Sequence, residues 1–216
     1  MSNPSPIPGA LCAYYDYEIQ NVTTGEVKKA SEWIPCHSFL DAFLRAIYMQ
    51  TKSTSSIHDS AIRQFPDGGT EFNTYVFNVR GGANGTLFVT SASTGNANLG
   101  IVVGTGSNPV TIGDYRLQTK INSGVAAGEL QYGTVSYGAP SSDATKTTFR
   151  TTRVFTNNSG GAVLITEIGL VMSHNISTLT ETDFRIEPYL IMRDLTSINV
   201  ADGQQVTINY NMVAYP

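Results

Sequence analysis

The chain of 216 residues is 41% hydrophobic but only 14% charged, against about 25% charged in a typical globular protein, which excludes a self-solvating disordered polymer. A net charge of −4 with no Lys/Arg run offers nothing to neutralise a row of phosphates, so no nucleic-acid partner is expected. No apolar run approaches the roughly 20 residues of a membrane span, no membrane partner is expected, and Met1–Ala10 lacks the basic and apolar parts of a signal peptide.

Small neutral polar residues replace the missing charge: Thr, Ser, Asn and Gly together make 79 of the 216 residues. Thr favours pleated surfaces while Gly, Asn and Ser supply turns, so the composition is that of a strand-and-turn protein. Two cysteines, Cys12 and Cys36, exclude a disulfide scaffold.

In chain order, residues 1–10 carry Pro4, Pro6 and Pro8 at every second position. That spacing blocks helix and predicts an extended, polyproline-like arm without a core of its own, either a disordered terminus or an arm that orders against a neighbouring subunit in an assembly. Residues 11–68 are expected to form a hairpin plus a single helix packed on the rest. Ala13–Gln20 and Glu26–Ile34 are the hairpin strands, with Asn21–Gly25 as turn. Tyr15, Tyr17 and Ile19 then share one face, and Tyr14, Asp16 and Glu18 the other. Ser38–Thr51 is the one predicted α-helix, capped by Ser38, with Leu40, Phe43, Leu44, Ile47 and Tyr48 at helical spacing facing the sheet.

A boundary near Gly69 opens residues 69–216, read as a β-sandwich domain. Short strands are predicted at Glu71–Val79, Thr86–Ala92, Gly100–Val103, Leu130–Tyr137, Phe149–Asn157, Ala162–Met172, Tyr189–Leu195 and Gln205–Ala214, separated by Gly- and Asn-rich turns. Many short strands without alternating helices predict a mainly β fold, an antiparallel, jelly-roll-like sandwich with one α-helix and an N-terminal arm.

Residues able to carry chemistry are few. Cys36-His37 is the only adjacent pair of the cysteine-hydrolase kind, but neighbours on an extended segment point to opposite faces. His37, His58 and His174 stand far apart without metal-ligand spacing, so neither a metal nor any other cofactor is expected. Asp67-Gly-Gly69 and Asp202-Gly203 lack the dense carboxylates of a calcium loop and read as turns. Gly104-Thr-Gly106 follows an apolar strand as a phosphate loop would, yet no Lys-Ser/Thr follows and Pro109 interrupts any helix. Glu167 is the one acid within a strongly apolar strand, and it reads as a structural ion pair with Arg153 or Arg193 on an adjacent strand. The chain is therefore not expected to be an enzyme.

Three blocks of the second half occur in a recognisable order. They are Gly100-Ile-Val-Val-Gly-Thr-Gly-Ser-Asn-Pro-Val-Thr-Ile-Gly-Asp-Tyr-Arg-Leu-Gln-Thr-Lys-Ile121, then Phe155-Thr-Asn-Asn-Ser-Gly-Gly-Ala-Val-Leu-Ile-Thr-Glu-Ile-Gly-Leu170, then Leu190-Ile-Met-Arg-Asp-Leu195 with Val200–Tyr210. Together they span about half of the chain and the set resembles a pattern found in structural proteins of tailed bacteriophages. As one construction, the second block reads as a hairpin carrying Glu167 inward, Arg193 meets that acid, and Asp202-Gly203 turns into the last strand. The resemblance implies a non-enzymatic virion component made in the host cytoplasm, on the capsid as decoration or head fibre or on the tail. Its implied partners are other virion proteins and copies of itself. The alternative is a β-sandwich module that binds a host receptor or glycan, for which Tyr14, Tyr15, Tyr17 and Trp33 are the stacking candidates.

Overall fold

The computed structural model describes residues 11–36, 39–40, 42–44, 61–62, 75–76, 89–177 and 184–216. Its strands are β1 (Leu11–Asn21), β2 (Val27–Ala30), β3 (Ile34–Pro35), β4 (Ala61–Ile62), β5 (Tyr75–Val76), β6 (Gly100–Gly104), β7 (Gln131–Tyr132), β8 (Ser136–Tyr137), β9 (Ser141–Ser142), β10 (Thr147–Thr156), β11 (Val163–Ser177), β12 (Phe184–Val200) and β13 (Gln204–Ala214). The larger sheet runs β2-β1-β13-β10-β7, with β3 added beside β1 and β8 and β9 beside β10. The smaller sheet runs β12-β11-β6, and β4 pairs with β5. All these strand pairs are antiparallel, and the two main sheets form a β-sandwich.

Alternation explains the larger sheet. Ala13, Tyr15, Tyr17 and Ile19 of β1 and Val206, Ile208, Tyr210 and Met212 of β13 enter one core, while Asp16 and Glu18 face outward as expected. Tyr14 shares their outer face yet is buried, its ring 5.5 Å from that of Trp33. In the smaller sheet β6 is buried along its whole length. One side faces the core, and the loop that follows doubles back over the strand, with Ile121 N–H donating to Val103 O (2.9 Å) and Thr105 N–H to Thr119 O (2.8 Å).

The β11–β12 pair and the β10–β13 pair make one long antiparallel ribbon folded over on itself, the winding of a jelly roll. Residues 157–162 were expected to form a hairpin; they form instead a corner, because β10 pairs with β13 in one sheet and β11 with β12 in the other. The turn residues carry the chain across the sandwich rather than back along it, with Gly160 at φ +80° and Gly203 at φ +75° in the two adjacent corners. Fully buried Asn157 fastens them together: its Nδ2 donates to Gly161 O (2.8 Å) and Val200 O (2.7 Å). The Asp202 carboxylate also accepts from Gly160 N–H (2.9 Å).

Several boundaries differ from the sequence reading. The expected hairpin forms, β1 pairing with β2 across the turn at 21–25, and β1 also pairs with β13 along its full length, which places this strand inside the larger sheet. The segment 130–137 is two short strands, interrupted where Gly133 N–H turns to Val154 O (2.8 Å). Of 86–92, Val89 forms one bridge to Ser173; of 71–79, Tyr75–Val76 is the strand described. Within the expected helix only 42–44 are described and helical. Leu40 and Phe43 pack into the core, whereas Leu44 is 58% exposed rather than part of the inward stripe. Residues 38, 41 and 45–51 of the expected helix, and residues 1–10 with Pro4, Pro6 and Pro8, lie outside the described residues.

Candidate functional site

The acid singled out by its apolar context, Glu167, is fully buried on β11. Register places Leu195 directly across from it on β12, so Arg193 is the diagonal neighbour on the same face. The Arg193 Nε donates to Glu167 Oε2 at 2.8 Å. Three backbone amides complete the set: Gln118 N–H donates to Oε2 (3.0 Å), and Gly106 N–H (3.0 Å) and Thr119 N–H (2.8 Å) donate to Oε1. An ionised carboxylate is acceptor-only, and all of this one's neighbours are donors.

The glycines of Gly104-Thr-Gly106 acquire their meaning here. A Cβ on Gly104 would stand 2.5 Å from Thr119 O and 2.6 Å from Glu167 Oε1, and one on Gly106 would overlap the same carboxylate. The resemblance to a phosphate loop is thus physical in one respect: the backbone does cradle an anion, and the anion is the chain's own Glu167.

Arg193 extends the network toward the surface. Its Nη1 donates to Asp114 Oδ2 (2.8 Å) and its Nη2 to Asn108 O (3.2 Å). Asp114 also accepts from Thr111, from its N–H at 3.0 Å and its hydroxyl at 2.7 Å. Burial is the largest influence on both groups and opposes their charged forms. Hydrogen bonds outweigh it, those of Thr111 and Arg193 holding Asp114 below the ordinary aspartate range and those of Glu167 and Asp114 raising Arg193.

Arg153, the other candidate partner of Glu167, lies in the opposite sheet and takes no carboxylate. It is fully buried, and all five of its N–H donors meet backbone carbonyls. Nε donates to Gly133 O (2.8 Å), Nη1 to Leu99 O (2.7 Å) and Ile101 O (2.9 Å), and Nη2 to Asn96 O (2.6 Å) and Ser93 O (3.3 Å). The guanidinium lies 4.8 Å from the centroid of Tyr132. Burial lowers its pKa to about 10, which still leaves it charged at neutral pH. This residue was missed as an organiser because carbonyls leave no mark in a sequence; an arginine alternating with Thr151 and Phe155 on an inward face was the one available signal.

Among the described residues, the remaining candidates do not come together. Burial first, then the charge and hydrogen bond of Asp194, push the Cys36 thiol far above its usual range, which favours the protonated form. His37 and His58 lie outside the described residues, as do Asp67–Gly69. Among the described residues no group of three or more His, Cys, Asp or Glu side chains is placed to hold a metal ion, and no helix is long and apolar enough to cross a membrane. Tyr15 and Tyr17 are core residues and Tyr14 is buried, which leaves Trp33, half-buried with Lys146 Nζ 5.1 Å from its ring centroid, as the one accessible stacking candidate of the four. Comparison with family models, curated proteins and solved structures gave no match.

Replacing Glu167 with Ala would strand the buried Arg193 and three amides, at a cost of roughly 3–5 kcal/mol. A chain of this size loses about 2–4 °C of midpoint per kcal/mol. Thermal unfolding checks this, and a midpoint within a degree or two of the parent would refute the assignment. Asp114 gives a pH signature. Its folded pKa is depressed, so its contribution is present above the unfolded value near 3.9 and lost as pH falls through the folded value. Stability measured from pH 5 to pH 2 is therefore expected to fall more steeply for the parent than for Asp114→Asn, and parallel curves would contradict it.

Proposed function

We propose that the chain is a non-enzymatic structural subunit of a tailed-phage virion, made in the host cytoplasm and assembled through subunit interfaces on the capsid or tail. The observation that carries this reading is the convergence of the three resembling blocks on one carboxylate. Glu167 of the second block binds Gly106, Gln118 and Thr119 of the first and Arg193 of the third, and Arg193 returns to Asp114 of the first. Residues far apart in sequence that resemble one pattern thus form a single physical unit in this fold.

The chemistry points the same way. A buried acid can serve in catalysis when one of its oxygens faces a substrate, but both oxygens of Glu167 are taken up by the chain's own donors. A sandwich with only 14% charged residues suits permanent protein–protein contact, where charged residues are depleted from the contact core. Its partners in this reading are other virion proteins and further copies of the chain, and Pro4, Pro6 and Pro8 form the arm that exchanges between subunits. A receptor- or glycan-binding role is the weaker reading, because Tyr14, Tyr15 and Tyr17 are buried.

Mass spectrometry and immunogold labelling of purified tailed-phage particles encoded with this chain are expected to find it at a fixed copy number on the particle. Its presence in the lysate but not in purified particles would overturn the proposal.

A further inference from the structure

A second buried carboxylate, Asp194, lies on the opposite face of the smaller sheet from Glu167. It stands in register with the core residue Ile168, so it points away from the face of Arg193 and into the sandwich, where it is 3% exposed. Facing it from the larger sheet are Tyr15 of β1, Cys36 just after β3 and Tyr210 of β13. The Cys36 thiol donates to the Asp194 carboxylate. Tyr15 and Tyr210 are register partners on neighbouring strands, their ring centroids 6.4 Å apart, so both phenols extend across the core side by side. Tyr15 completes the crossing: its Oη donates to Leu195 O at 3.4 Å and accepts from the Thr196 hydroxyl.

Tyr210 does not complete it. Its side chain is fully buried, yet among the described residues its hydroxyl meets no hydrogen-bond partner. Burial first, then Asp194, Cys36 and Tyr15, raise this phenol well above its usual range, which favours the protonated, donating form and places all three neighbours close enough to act on it. A buried hydroxyl without a bond loses the hydration it had in the unfolded chain and gains nothing in return, and native interiors meet such groups with protein or with ordered water.

We propose that the core between β12 and β13 binds one internal water, which accepts from Tyr210 Oη and donates to the Asp194 carboxylate. A carboxylate has about four acceptor positions, so Asp194 takes this proton beside that of Cys36. A buried water needs two to four polar partners; the bridge supplies two, and a close-packed interior favours the smallest ligand that can make both bonds. A metal ion fits the same set less well: among the described residues no group of three or more His, Cys, Asp or Glu side chains converges, and the Cys36 thiol favours its protonated form. The water gives β12, which ends the strand order of the smaller sheet, a second tie across the core beside that of Tyr15 to Leu195. Consecutive residues then serve opposite faces, Asp194 anchoring the strand inward while Arg193 holds Glu167 outward. The bridge is thereby a positioning element for the Arg193–Glu167 contact, and it stands independently of the virion reading.

A crystal structure of the full chain that shows ordered waters, together with thermal unfolding of Tyr210→Phe, tests the bridge. Expected are a water within hydrogen-bond distance of both Tyr210 Oη and the Asp194 carboxylate, and a Tyr210→Phe midpoint about 2–4 °C below that of the parent, because the water loses its donor and the carboxylate a partner. A Tyr210 hydroxyl bonded directly to protein, a peak that refines as a metal ion, or no peak at the site would each overturn the proposal. So would a Tyr210→Phe midpoint equal to or above the parent's, the result expected when a bare hydroxyl is removed from a core. Should the variant fail to fold, the crystal structure of the parent decides alone.

Discussion

The Glu167 carboxylate lies out of water, and the organisation of this half of the sandwich follows from that. A buried carboxylate is tolerable only when its oxygens are met by donors. Arg193 supplies one from the neighbouring strand, and the other three come from a loop that must fold tightly over β6 to deliver them. Gly104 and Gly106 are glycines because the loop and the carboxylate approach too closely for a Cβ. The same folding covers β6 on its second side, which is why Ile101, Val102 and Val103 are apolar in succession rather than in alternation.

Arg153 solves the opposite problem by the same means. A buried guanidinium needs acceptors, and it finds five carbonyls from residues 93–101 and 133, with the Tyr132 ring over it. One buried anion gathers backbone N–H groups and one buried cation gathers backbone carbonyls, and each fixes a loop without regular structure of its own. Such a fold spends its few buried charges on shape. At the candidate positions Glu167 is surrounded by donors, and burial and Asp194 favour the protonated form of Cys36.

How much of this was legible in the sequence varied with the kind of signal. Alternation along β1 and β13 showed the core face directly, and the apolar surroundings of Glu167 marked it as buried before any partner was known. Its partner was narrowed to Arg193 by the order of motifs, and the register supplies the reason. The corner at 157–162 was misread because Asn-Asn-Ser-Gly-Gly signals a change of direction without saying which sheet receives the next strand. Residues 130–137 were read as one strand because the break depends on Gly133 and Arg153, contacts between distant segments. The pairing of the N-terminal strand with β13 left no mark in the sequence because the two lie almost the whole chain apart.

Amide hydrogen exchange tests the role of Glu167 most directly, since three of its four bonds are to backbone N–H groups. The amides of Gly106, Gln118 and Thr119 are expected to exchange as slowly as those of the β11–β12 ladder, although all three lie in a loop, while Gly113 in the exposed turn exchanges rapidly. If the three amides exchanged as fast as Gly113, the carboxylate would not be holding the loop, and the claim that this half of the fold is organised around it would be wrong.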